Sequence, residues 1–141
     1  MAAVTLADLM AGLETRLRSI DGLRVDDISP GQVNPPQAVV GVPAIPSYWT
    51  SFGRGSWRPN PTITVFTSAA FDRPGQLALA SYADVTGTNS IPLAIEADRT
   101  LGLGAGVDCI VTDFRPLGLE EVNQLGYFGG VFTLQVIARG V

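Results

Sequence analysis

The sequence predicts an α+β fold: a single domain with an antiparallel or mixed β-sheet and about three helices packed on one of its faces. Three observations predict it. Near the start, apolar residues recur at helical spacing, at Leu6, Leu9, Met10, Leu13, Leu17 and Ile20. Near the end, residues 127–138 alternate: Phe132, Leu134, Val136 and Ala138 point one way, Thr133, Gln135 and Arg139 the other. That alternation gives a strand with one buried face and one wet or partner-facing face. Between them lie two helical stretches opened by proline and several short β-branched runs. A length of 141 residues suits one domain, and neither an internal repeat nor a linker interrupts it.

In order, Thr5 followed by Asp8 predicts a capped start to the first helix, and Gly22 its stop. Its outer face carries Glu14, Arg16 and Arg18. Residues 23–25 begin a strand, residues 30–36 are turn-rich, and residues 38–42 form a short strand ended by Pro43 and Pro46. Residues 44–60 then read as one long loop. Residues 62–67 are β-branched and alternate, so they predict a strand. Asp72 is placed to cap a second helix running from Arg73 to about Val85, broken by Gly87. A third starts near Ser90 with Pro92 in its first turn, carrying Leu93, Ala94, Ala97 and Leu101 on one side. Residues 107–114 are a strand, residues 115–126 a polar loop, and the alternating stretch closes the chain.

The predicted loop at about 44–60 has unusual content. It holds Tyr48, Trp49, Phe52 and Trp57 with Arg54 and Arg58, and both tryptophans of the chain lie in it. A long loop inside a compact domain is uncommon and often functional. Trp, Tyr and Arg dominate interface hot spots, which makes these six residues the candidate partner-docking site. The bland counterpart is a loop folded back so that its aromatics cover the core.

Composition removes most catalytic chemistry. The net charge of −4, from 9 basic and 13 acidic residues, argues against a general nucleic-acid binder. All basic residues are arginine, which rules out a phosphate-loop lysine. Histidine is absent, and with it the commonest general base and metal ligand. The lone Cys109 sits in an apolar strand and reads as a small buried thiol. The Gly102, Gly104, Gly106 spacing misses the dinucleotide fingerprint and follows a helix instead of a strand, so it reads as a flexible helix stop. The acidic pairs Asp26–Asp27 and Glu120–Glu121 diverge in extended chain, and Glu96 and Asp98 do not face each other on a helix. No catalytic, cofactor-binding or metal-ligating set emerges, and the sequence predicts a non-enzyme without cofactors. Residues 1–10 lack a basic segment followed by an apolar one, which predicts no secretion signal there, and no run of 18 or so apolar residues occurs. A mean hydropathy of +0.27 is high for a fully wet monomer, and an oligomer that buries part of its exterior accounts for it.

Taken in order, the amphipathic first helix leading to residues 20–25, the proline-flanked strand at 35–43, the strand at 62–67, the helix at 76–87, the segment from Ser90 through Asp98 to Gly102, and the closing 127–132 strand resemble the tail terminator proteins of long-tailed bacteriophages. The stretch 81–102 carries the likeness most strongly, and the resemblance runs over most of the chain. It implies a structural virion protein that forms a homohexameric ring on the head-proximal end of the tail tube. The ring would end tube polymerisation and join the tail to head-completion proteins of the neck. Its partners would be further copies of itself, the tail tube protein and the head-completion protein, with DNA passing through the lumen unbound. Its place would be the tail–neck junction of the virion, after assembly in the host bacterial cytoplasm. A mobile loop that orders on the tube is also implied, and residues 47–60 suit it. Open alternatives are another neck component, a monomeric binding domain and a carboxylate-dependent enzyme.

Overall fold

The computed structural model describes residues 4–25, 36–49, 52–68, 73–104, 106–122 and 125–140, with the backbone alone at positions 47, 68, 117–122 and 125–127. The predicted caps and acids at Asp26, Asp27 and Asp72 lie outside the described residues. Helix α1 (Leu6–Leu17) opens as expected: the Thr5 side chain accepts from the Asp8 amide at 3.1 Å. Leu9, Leu13 and Leu17, one helical turn apart, are fully buried. The helix stops at Arg18, before the predicted Gly22; Gly22, at φ +82°, closes the turn that follows. Gly12 faces inward where α1 crosses the Leu101 segment. A Cβ there would lie 2.8 Å from the Leu101 carbonyl oxygen and 2.9 Å from its Cβ, so the crossing needs glycine.

The sheet contains β1 (Arg24–Val25), β2 (Gln37–Val40), β3 (Ala44–Ser47), β4 (Ser56–Asn60), β5 (Thr62–Ser68), β6 (Val107–Val122) and β7 (Leu125–Arg139). Only β1–β2 is parallel; the other pairings are antiparallel. Strand β7 is central. Strand β6 runs along one side of it, and β5 and β4 follow each other along the other. Pro61 joins those two segments, and its carbonyl accepts from the Leu134 amide at 3.0 Å. The chain thus bends at Pro61 without losing its place on β7.

Two expected loops are strands. The 44–60 stretch forms a hairpin of β3 and β4 instead of one loop. Its register shifts between the Ala44–Asn60 and Ser47–Arg58 pairs, and Pro46 and Pro59 fall in that shift, where a missing N–H costs the ladder least. Residues 115–122 are also paired: β6 and β7 run together to Val122 opposite Leu125, across a register shift between Pro116 and Gly118.

Helices α2 (Arg73–Ala83) and α3 (Ile91–Glu96) join α1 on one sheet face. Helix α3 is capped by Ser90, whose Oγ accepts from the Leu93 amide at 3.2 Å. Its inward residues are Ile91 and Ile95; of the expected side Ala94 packs against the core, while Leu93 is half exposed and Ala97 exposed. The difference follows from length: the helix ends at Glu96, and Leu101 reaches the core from a left-handed turn at φ +54°. Under the helices lie Ile63 and Val65 of β5 and Phe132, Leu134 and Val136 of β7, all fully buried. Phe114 packs on Phe132 with ring centroids 4.7 Å apart. The result is the expected α+β domain with a mixed sheet. No helix among the described residues is long and apolar enough to cross a membrane.

Candidate functional site

The six candidate residues all sit on the β3–β4 hairpin, but the structure divides them among three environments. Strand pairing settles Trp57 first. It lies opposite Ala138, a core residue, and its ring packs half-buried on the same core. Its indole N–H is buried with no hydrogen-bond partner. Trp57 is therefore a cover for the core, as the bland reading had it. Alternation turns its neighbour Arg58 to the opposite, helix-free face, where it is exposed.

Trp49 and Arg54 form a clasp. The Arg54 guanidinium lies over the Trp49 ring at 5.7 Å from its centroid, and Arg54 adopts φ +58°, a conformation non-glycine residues seldom hold. The clasp seats on the end of β7: the Gly140 amide donates to the Gly55 carbonyl at 2.9 Å. A Cβ on Gly140 would lie 3.1 Å from the edge of the Trp49 ring. With these contacts fixing the hairpin end, Tyr48 is 59% exposed and Phe52 fully exposed. A bare phenylalanine gains nothing in the isolated chain, and burial of its ring by a partner would contribute on the order of 2–3 kcal/mol.

A second group was not singled out from the sequence. On the helix-free sheet face, Ile110 lies opposite Gln135 and Asp108 opposite Ile137, which is 43% exposed. Arg99 grips Asp108 with two hydrogen bonds of 2.7 and 2.9 Å across the sheet edge. A hollow of about 310 Å³ lies beside them, bounded by Gly55, Ser56, Gly106 and Arg139. The period-2 pattern of β7 placed Gln135 on a wet or partner-facing side, but the partner strand of that row is not readable from one sequence.

Titratable groups do not converge. Cys109 is fully buried and its thiol is pushed up to about 12, by burial first and then by the charges of Asp108 and Glu96. The Asp98 carboxyl is held below its usual range, chiefly by the Thr100 hydroxyl. Burial raises Tyr82. Among the described residues, no three Cys, Asp or Glu side chains group closely enough to hold a metal ion. Compared with known proteins, the chain matches no family model and no curated protein.

Proposed function

We propose that the chain is a structural virion assembly protein of a long-tailed bacteriophage, a tail terminator whose copies close into a ring on the head-proximal end of the tail tube. There the ring ends tube polymerisation and joins the tail to the head-completion proteins, at the tail–neck junction. The observation that carries this reading is the hairpin end: Tyr48 and Phe52 stand exposed on a turn whose base is fixed by the Trp49–Arg54 clasp and by Gly140. Exposed aromatic rings at a hairpin end suit docking into a pocket of another protein. The order of sequence motifs supports the same reading. A net charge of −4 also suits a lumen through which DNA must slide without sticking.

The test is the mass of the purified protein in solution, alone and mixed with its candidate tail tube protein. Hexamers, formed alone or only on tubes, agree with the proposal. A monomer that ignores tubes sinks it and turns the search to portal-side partners.

A further inference from the structure

Asp21 and Gly22 form the tip of the turn that carries the chain from α1 to β1, and both are exposed. The Leu23 amide closes the turn by donating to the Ile20 carbonyl at 3.4 Å, long for a hydrogen bond. Gly22 stands third in it at φ +82°, a left-handed conformation that glycine adopts without strain. Buried Ile20 and Leu23 anchor its two ends, and Arg18 reaches past it to the Val25 carbonyl. The tip itself is bare. Among the described residues, neither the Asp21 carboxyl nor the Gly22 amide has a hydrogen-bond partner. Nothing lies within 4 Å of where a Gly22 Cβ would stand. Glycine has no side chain to shield its nitrogen, so the carboxyl and the amide are free to meet.

We infer that Asp21 is a site of spontaneous isomerisation through a cyclic imide. The Gly22 nitrogen attacks the Asp21 side-chain carboxyl carbon and gives up its proton. A new N–C bond closes a five-membered ring, and the carboxyl hydroxyl departs as water. A second water then opens the ring. Attack at the side-chain carbonyl returns aspartate. Attack at the main-chain carbonyl breaks the original peptide bond and leaves isoaspartate, in which the chain runs through the side-chain carbons. One water is lost and one regained, so nothing is oxidised or reduced and the mass is unchanged. The product carries an extra backbone carbon between two buried anchors, Ile20 and Leu23, which no longer fit the core together. The other described Asp and Asn residues are closed to this chemistry. The Ser90 amide after Asn89 donates to the Gly87 carbonyl at 3.3 Å, and Ser90 is 1% exposed. The Val85 amide already donates to Asp84 Oδ1 at 2.8 Å. Asp98 is tied to the Thr100 amide and hydroxyl. Asp8 lies in α1, and Asp108 and Asp113 are paired in β6. Asn60 precedes Pro61, whose nitrogen has no proton to give. The inference is independent of the assembly reading.

The experiment ages the purified parent and Asp21→Glu at neutral pH below the melting temperature, with a second set unfolded in urea. Glutamate keeps the charge at an exposed position, but its imide is a six-membered ring that closes far more slowly. Melting of the fresh proteins checks that both fold. Isoaspartate is counted by enzymatic methylation with an isoaspartate-specific methyltransferase. Trypsin, cutting after Arg18 and Arg24, isolates residues 19–24. In the folded parent, methyl acceptors grow with time and the 19–24 peptide splits into two peaks of equal mass. In folded Asp21→Glu that peptide stays single. The Tm of the parent falls with ageing further than that of Asp21→Glu. A folded parent whose 19–24 peptide stays single while the urea-unfolded chain splits would show that the turn holds Asp21 too firmly, and would overturn the inference. Methyl acceptors in the folded parent without a second 19–24 peak would place the change elsewhere and overturn it too. An equal fall in Tm in both proteins would refute the strain on Ile20 and Leu23.

Discussion

Gly12→Ala sets two effects of similar size against each other. In an exposed helix interior the change stabilises by about 1 kcal/mol, the usual gain of alanine over glycine. Here the added methyl would stand 2.8 Å from the Leu101 carbonyl oxygen and 2.9 Å from its Cβ. Comfortable carbon contacts are about 3.5–4.0 Å, so the overlap approaches an ångström. Leu101 has little room to retreat. It is buried, its φ is +54°, and its amide donates to the Asp98 carbonyl at 3.0 Å. Forced methyls in a packed core cost about 1–3 kcal/mol, which leaves a net loss of up to about 2 kcal/mol. For a chain of this size that lowers Tm by up to about 8 °C. The assay is thermal melting by circular dichroism, with Ala11→Gly as the control. Ala11 is exposed on the same helix, and its replacement measures the propensity effect alone. A Gly12→Ala variant that melts above the parent would refute the reasoning and show that the Leu101 turn yields.

Three further outcomes follow from the same geometry. Tyr48→Ala and Phe52→Ala leave stability within about 0.5 kcal/mol of the parent in urea titrations, because neither ring is buried, while tube capping is lost; a large stability loss would return both rings to the core. Trp57→Ala lowers urea stability by about 2–4 kcal/mol, somewhat below a fully buried tryptophan, and an unchanged midpoint would remove Trp57 from the core. The Cys109 thiol has its folded value raised from 9.0 to about 12, so its contribution to stability is complete below pH 9 and is lost as pH climbs from 9 toward 12. Cys109→Ala therefore flattens the alkaline fall in Tm. Tyr82, shifted in the same direction, keeps part of that fall, and an identical alkaline profile in both proteins would contradict the burial argument.

The elements legible in the sequence are those where burial writes a period into the residues. Helix α1 and strand β7 each bury one face completely, so their apolar positions recur at helical spacing and at every second residue. The hairpin at 44–60 was hidden by its prolines. Pro46 and Pro59 read as breakers, yet they fill a register shift, and Pro59 and Pro61 are fully buried. The outer part of the β6–β7 pair was hidden for another reason. Glu120 to Val122 pairs with the start of β7, beyond the last β5 pairing, that of Ser68 with Phe128. The residues of that segment show no apolar alternation, so it looks like a polar loop. Among the six docking candidates, aromatic content alone could not separate Phe52, which is bare, from Trp57, which is half-buried. That division depends on strand alternation opposite Ala138, a partner 81 positions along the chain.

The central place of β7 also sets the order in which the molecule is completed as it is made. Strands β4, β5 and β6 all pair with it, and it leaves the ribosome after all three. Until residues 125–139 emerge, β5 has only β2 beside it, and the apolar edge that will receive Phe132 and Leu134 stays open. Helix α1, by contrast, can coil on its own early, though its stripe of leucines has nothing to rest on. Nascent chains stopped before residue 125 would thus remain protease-sensitive and prone to stick to one another, and the native sheet would appear in one late step.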